Sequence, residues 1–242
     1  MIIGLLGQAG VGKDTAADYL VKKHGFAKVA LADPLKRICR EVFDFTEDQL
    51  WGPSASRNAP DERYPKEHAW RYEARSVLLS ACARCGVLKE NAVNKPCFLT
   101  PRYALQQLGT EWGRDCYGDV WVEYALRIAK RLMAYDRDNP NMVNYYSARS
   151  GLIFVGGRDK PKGVVISDVR FKNEVAALKK IGAKVVRIRR PAVGLEGGAA
   201  QHLSEREQKE IHDDDLDAVI HNDDSFEVLH TRIERALTRL RG

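Results

Sequence analysis

The chain has no long hydrophobic run. Among its 242 residues no apolar stretch approaches the roughly 20 residues a membrane-crossing helix needs, so no membrane partner is expected. No charged region precedes the first apolar run, and Gly4 and Gly7 interrupt that run. A secretory leader is therefore not expected, and a cytoplasmic chain is. Cysteines are few and unpaired in pattern. There are five, an odd number, which fits free thiols in a reducing compartment. Cys82 and Cys85 form one close pair, but Cys97 and Cys116 form no second pair, and a zinc ribbon needs one. Cys82 and Cys85 read instead as buried thiols one helical turn apart. The six histidines show no ligand spacing, and no internal repeat is present.

What is present is ordinary for a globular protein: 44% hydrophobic and 30% charged residues, with a formal net charge of +6. The excess charge admits two readings, a solvated basic surface or a polyanionic ligand, and it does not separate nucleotide from nucleic acid. Short apolar runs alternate with amphipathic stretches. "MIIGLLG", "FAKVALA", "GVVISDVRF", "AKVVRIRRP" and "DAVIHND" read as strands. Helices are expected over 13–24, from Asp33 as N-cap with Pro34 at the first helical position, over 68–85, 102–114, 119–135 and 171–182, and from Phe226 to the end. Leu105, Leu108 and Trp112 would share one face, as would Trp121, Ala125, Ile128 and Leu132. Residues 51–66 read as a loop, 136–162 as a loop with a short strand or hairpin at "GLIFVGG", and 191–210 as a mobile flap. "HDDDLD" at 212–217 reads as a solvated loop before the last strand. The alternation predicts βαβ units in a mainly parallel, doubly wound α/β sheet, with ligands at the carboxyl ends of the strands. Gly7, Asp33 and Asp168 all fall there.

Gly7-x-x-x-x-Gly12-Lys13 follows the first strand and precedes the first helix. This is the context in which a glycine loop turns successive N–H groups inward as an anion nest, with the helix N-terminus adding positive potential. Lys13 then reaches the β- and γ-phosphates. Asp14 stands where such loops carry Ser or Thr. Two roles fit it. It could hold hydrated Mg²⁺, with Thr15 on the α-phosphate side, or it could only favour the helix N-terminus.

A GTPase is excluded by the lack of an NKxD-type strand end, and the chain is short for a helicase core. A small-molecule kinase needs an acceptor site, a basic lid and exclusion of water. Acceptor candidates are Asp33, Lys36, Arg37, Arg57 and Arg102. Lid candidates are Arg187, Arg189, Arg190 and Arg206. Asp168 ends a buried strand as a Walker B acid would, and Arg170 beside it could neutralise charge on a transferring phosphoryl group.

"GQAGVGKDTAADYL", "ADPLK", "TPRYALQQLGTEWGR" followed by Trp121, and "VVISDVRFKNEVAALKKIGAKVVRI" together resemble the deoxynucleoside monophosphate kinases of tailed bacteriophages. The resemblance runs through most of the chain and is weakest at 52–98 and 136–162. The Asp after the loop lysine is usual in that family, and "HLSE" at 202–205 resembles its lid region. The resemblance implies a P-loop NTPase three-layer α/β/α fold, a single kinase domain over 1–242. Its core would be 1–50, 101–135 and 163–242, its acceptor-binding helical insertion about 51–100, and its lid about 190–212. It implies transfer of the ATP γ-phosphoryl group to a dNMP with Mg²⁺, a host-cytoplasm location if phage-encoded, no nucleic-acid partner, and a homodimer. Carried over, Gly10, Gly12, Lys13, Asp14 and Thr15 match the ATP loop. Arg102, Gly109 and Trp121 match nucleotide-site positions, and Asp168, Val169, Arg170 and Glu174 match the strand-end "DVR" motif. Arg57 resembles the arginine of the acceptor segment. From the residues alone, Trp121 fits either a base-stacking side chain or a core tryptophan. Three alternatives stay open: a dephospho-coenzyme A kinase, against which Asp14 counts; a nucleic-acid-binding ATPase suggested by the net charge; and an inert phosphate-loop scaffold that would bind ATP but turn over no acceptor.

Overall fold

The first apolar run forms strand β1 (Ile2–Leu6), and the glycine turn leads into helix α1 (Lys13–His24) and strand β2 (Phe26–Val29). Helix α2 (Asp33–Phe43) is followed by the short helices α3 (Glu47–Trp51) and α4 (Ser54–Asn58), then by strands β3 (Asp61–Pro65) and β4 (Phe98–Leu99). Helix α5 (Pro101–Gln106) runs into a π-helical segment (Gln107–Arg114), and helix α6 (Val120–Met133) follows. Strands β5 (Val143–Tyr146) and β6 (Ile153–Val155) pair antiparallel. Strand β7 (Gly163–Val169), helix α7 (Lys172–Lys180), strand β8 (Lys184–Arg189), a 3-10 turn (Asp213–Asp215), strand β9 (Ala218–His221) and helix α8 (Phe226–Arg241) complete the chain. The computed structural model describes residues 1–65, 98–134, 143–149, 153–155, 160–191, 207–208 and 210–241. The helix expected over 68–85, with Cys82 and Cys85, and most of the expected flap lie outside the described residues.

The described chain divides into two units. One holds Met1–Pro34 with the described residues of Tyr117–Leu195 and Leu203–Gly242; the other holds those of Leu35–Cys116. The second unit thus starts inside α2, earlier than an insertion at 51–100.

In the first unit β2, β7, β1, β8 and β9 lie side by side in that order, every pair parallel. Alternation along β1 divides the faces. Ile3 and Leu5 join Ala16, Ala17 and Leu20 of α1 and Leu229, Ile233 and Leu237 of α8 in one buried cluster. Gly4 points the other way, where an added Cβ would lie 2.6 Å from Leu178 Cδ1 of α7. The missing side chain is what lets α7 pack close. Helix α6 buries Trp121, Ala125, Ile128 and Leu132, the stripe read from the sequence. The result is helix, parallel sheet, helix: the three-layer α/β fold. Burying each aliphatic side chain in it contributes about 2 kcal/mol.

The helix ends have local causes. Gly25, at φ 66, stops α1 in the left-handed conformation, and Lys22, Lys23 and His24 in its last turn suit the negative helix end. Asp33 is the first residue of α2 rather than its N-cap, and its carboxylate reaches back to accept from Ala30 N at 2.9 Å.

The second unit corrects two expectations. Residues 51–66 are not a plain loop, since α4 and β3 form there. Helix α3 before them is nucleated by a capping box in which Thr46 and Gln49 exchange hydrogen bonds. The helix expected over 102–114 begins as α but widens to π geometry at Gln107. In a π-helix the i→i+5 bonds widen the turn, so i, i+3, i+7 no longer share a face. Leu105 and Leu108 pack on the core of Cys39, Phe45, Leu50 and Ala104, while Trp112 turns outward and is 55% exposed. Phe226, the first residue of α8, is likewise exposed.

Candidate active site

The glycine loop leaves β1 at the carboxyl edge of the sheet and enters α1 at Gly12. Gly10 (φ 81) and Gly12 (φ 98) adopt backbone conformations that L side chains rarely take. A Cβ on Gly12 would also collide with the Asn222 side-chain nitrogen. Lys13 is 8% exposed, and its ammonium donates to Gly7 O at 2.5 Å and Gln8 O at 2.6 Å. The cation is thus held by carbonyls of its own loop, at the mouth of the nest and beside the N-terminus of α1. An anion of high charge density is the natural competitor of those carbonyls for the ammonium.

Asp14 and Thr15 open α1. Asp14 is exposed and pairs with Lys28 of β2 at 2.9 Å, and Lys28 also reaches Asp18 at 3.0 Å. Burial lowers the Lys28 pKa, but the Asp14 and Asp18 carboxylates outweigh it, so the net direction is up. Oxygen donors of the kind Mg²⁺ takes are therefore present at Asp14 and Thr15, with one Asp14 oxygen engaged by Lys28. Among the described residues no group of three or more His, Cys, Asp or Glu is arranged to hold a metal ion.

The register sets Leu6 beside Val169 of β7 and beside Arg187 of β8. Asp168 and Val169 therefore end their strand, with Arg170 just after it, next to the start of the glycine loop. The Asp168 carboxylate accepts from Leu31 N at 2.7 Å and Ala32 N at 3.1 Å, holding the turn that carries Asp33. The structure brings the two sequence-selected acids Asp33 and Asp168 to one turn. Glu174 is 1% exposed, and one of its oxygens accepts from Arg170 N at 2.7 Å and Phe171 N at 3.0 Å. It fixes the start of α7, and so the backbone of Arg170, from beneath. Trp121 is buried in the α6 stripe, which matches its core reading.

Lys36, Arg57, Arg102 and Gly109 belong to the second unit. Lys36 Nζ lies 5.3 Å and Arg40 Cζ 5.9 Å from the Trp51 ring centroid, so α2 sets two cations against one aromatic ring. Arg57 Nε is closed off and has no hydrogen-bond partner among the described residues. Arg102 is half-buried on α5, behind the Thr100 cap. Gly109 sits where a Cβ would approach Leu35 Cδ1 to 3.1 Å, a packing constraint inside the π-helical segment.

Three further residues were not legible as site residues. Asn222 is buried and donates to Val11 O at 2.9 Å, tying the end of β9 to the glycine loop across 211 positions. Arg187, grouped with lid residues from sequence, is a buried strand residue. It bonds to the Asp213 carboxylate and donates to Ile211 O at 2.7 Å and Gln208 O at 3.4 Å. Asp213, in the stretch read as a solvated loop, also accepts from Arg189 at 2.8 Å. Arg187, Arg189 and Asp213 line a cavity of about 720 Å³ whose walls include Gly7, Gln8 and Val11 of the loop, Ile188 of β8, Gln208 and Ile211. Only side-chain identity hinted at it: two arginines at a strand end and an acid-rich run beyond.

No protein-family model matches the chain. A protein of Acanthamoeba polyphaga mimivirus named "Putative deoxynucleotide monophosphate kinase" is 28% identical over 233 residues, 96% of this chain and 94% of that protein. Among solved structures, dephospho-CoA kinase from Campylobacter jejuni aligns with 99% of this chain and 96% of its own at TM-score 0.42 and 13% identity.

Proposed function

We propose that the protein is a nucleotide kinase that transfers the γ-phosphoryl group of ATP to a deoxynucleoside monophosphate. The observation that carries this reading is the glycine loop. Its positive-φ glycines and inward Lys13 stand at the head of α1, at the carboxyl edge of a parallel sheet. The similarity to the mimivirus protein over nearly the whole of both chains supports a deoxynucleotide as acceptor.

The reaction needs no protein nucleophile, because the acceptor's own phosphate oxygen attacks. Catalysis is then alignment and charge neutralisation. Gly10, Gly12, Lys13 and Thr15 bind the donor phosphates, and the Lys13 ammonium exchanges carbonyl oxygens of its loop for phosphate oxygens. Bound Mg²⁺ would supply further neutralisation, with Asp14 and Thr15 as its protein oxygens. Arg170 offsets charge on the transferring group, its backbone set by Glu174. Asp168 and Asp33 keep the β2–α2 turn in shape. Lys36, Arg57 and Arg102 provide positive charge for the acceptor phosphate.

The test is ATP consumption with Mg²⁺ against a panel of dNMPs and NMPs, dephospho-coenzyme A and single-stranded DNA. Turnover with at least one dNMP is expected. Lys13→Ala should lower it by about 10²–10³-fold, the scale of a lost charge-stabilising donor in the transition state, when assayed at a temperature where the variant is folded. Turnover with dephospho-coenzyme A alone, or none with any monophosphate, would sink the assignment.

A further inference from the structure

The cavity beside the glycine loop has one wall built in an unusual way. Arg187 is 7% exposed, and its guanidinium bonds to Gln208 O, Ile211 O and the Asp213 carboxylate, three acceptors from one short stretch of chain. A buried guanidinium is strongly disfavoured unless its donors and charge are met, so this stretch and the end of β8 are locked to each other. Arg189 adds a second, half-exposed bond to Asp213. The wall so held supplies Ile211 and Gln208, which line the same cavity as the loop residues Gly7, Gln8 and Val11. Its volume, about 720 Å³, lies within the range of small-molecule sites. Gln208 also keeps a side-chain nitrogen buried with no hydrogen-bond partner among the described residues. Such a donor is costly to leave unmet, and an acceptor on a ligand would satisfy it.

The geometry points to Asp213 and Arg187 as a positioning pair that builds the wall against which the base and sugar of the donor nucleotide rest. This rests on the donor reading above. Phosphates in the glycine loop would place a nucleoside at the cavity mouth, since Gly7, Gln8 and Val11 belong to both. The pair touches no phosphate in this scheme. It acts through the wall, and so it sets how much affinity the nucleoside adds to that of the phosphate chain.

Equilibrium binding of ATP and of inorganic tripolyphosphate to the full chain separates the two contributions. Wild type should bind ATP more tightly than tripolyphosphate. Asp213→Asn, which leaves Arg187 without its counter-charge, should weaken ATP about tenfold, the equivalent of one well-made polar contact. Tripolyphosphate binding should stay within about twofold, the margin expected if no phosphate contact changes, and this also reports that the variant is folded. Asp213→Glu should recover most of the loss, because it restores the carboxylate. Parallel weakening of both ligands, no change in either, or no rescue by Asp213→Glu overturns the proposal. A wild type that binds tripolyphosphate as tightly as ATP overturns it too, while leaving the phosphate loop standing. A wild type that binds neither removes the donor reading, and this inference with it.

Discussion

At the scale of single residues, the loop was legible because its chemistry is local. Glycines at fixed offsets before a lysine need only a strand behind and a helix ahead, and both formed where the apolar runs placed them. Asn222 was not legible, because its partner Val11 lies 211 positions away and nothing near "IHND" announces the contact. Yet it closes the loop from below: its amide donates to Val11 O, and its nitrogen occupies the space a Gly12 side chain would need. Asn222→Ala should leave the Val11 carbonyl without that bond. The expected cost is about 1–2 kcal/mol, read as a drop of a few degrees in melting temperature, with ATP affinity falling in step. Unchanged ATP binding in a destabilised variant would confine Asn222 to the fold. Asp168 and Glu174 were picked out by pattern for a site, and the structure shows how each first serves the backbone beside it. Short-range pattern finds the acid; the bond it makes depends on which turn the sheet brings beside it.

At the scale of elements, periodicity placed the sheet and its helices because the central strands β1, β7 and β8 are buried on both faces and the helices on one. It failed in the second unit, where segments are short and held by side-chain bonds. Leu105, Leu108 and Trp112 keep helical spacing, but the change to π geometry at Gln107 is invisible to any pattern that assumes a constant turn. Strand β3 is fixed in a similar way. Asp61 is buried at its start and accepts from Gln49 Nε2 at 2.8 Å, Arg63 Nε at 3.0 Å and Arg63 N at 3.1 Å. Hydrogen bonding from Arg63, aided by Gln49 and opposed by burial, holds its pKa down at about 2. A carboxyl whose folded pKa is depressed stabilises the fold above its unfolded pKa of about 3.9 and loses that contribution as pH falls through the folded value. Asp61→Asn should therefore melt below wild type at pH 7. The gap should narrow between about pH 4 and pH 2, the two ends of that window. A gap constant across this window would mean that Asp61 acts through its shape and not its charge.

At the scale of the whole molecule, the net charge of +6 is the one feature that the fold does not by itself explain. Several of its cations are already committed. Lys28 serves Asp14 and Asp18, Arg63 serves Asp61 and Asp44, Arg187 and Arg189 serve Asp213, and Arg232 serves Asp223. Lys36 and Arg40 crowd one tryptophan ring in the second unit. These cations are thus spread over small pairings and one local cluster, which suits a compact anion better than a long phosphate backbone. A nucleic-acid ATPase would neutralise several phosphates at once. Its affinity would then fall steeply and linearly on a log–log salt plot, and DNA would stimulate ATP hydrolysis. The kinase reading predicts the reverse: single-stranded DNA leaves ATP consumption at its acceptor-free level, while the matching dNMP raises it by orders of magnitude. A titration of salt from about 50 to 200 mM, the range over which six to ten phosphate contacts cost 10³–10⁵ in affinity, makes the comparison decisive. A dNMP that keeps driving turnover across that range, beside DNA that never does, assigns the positive charge to a nucleotide.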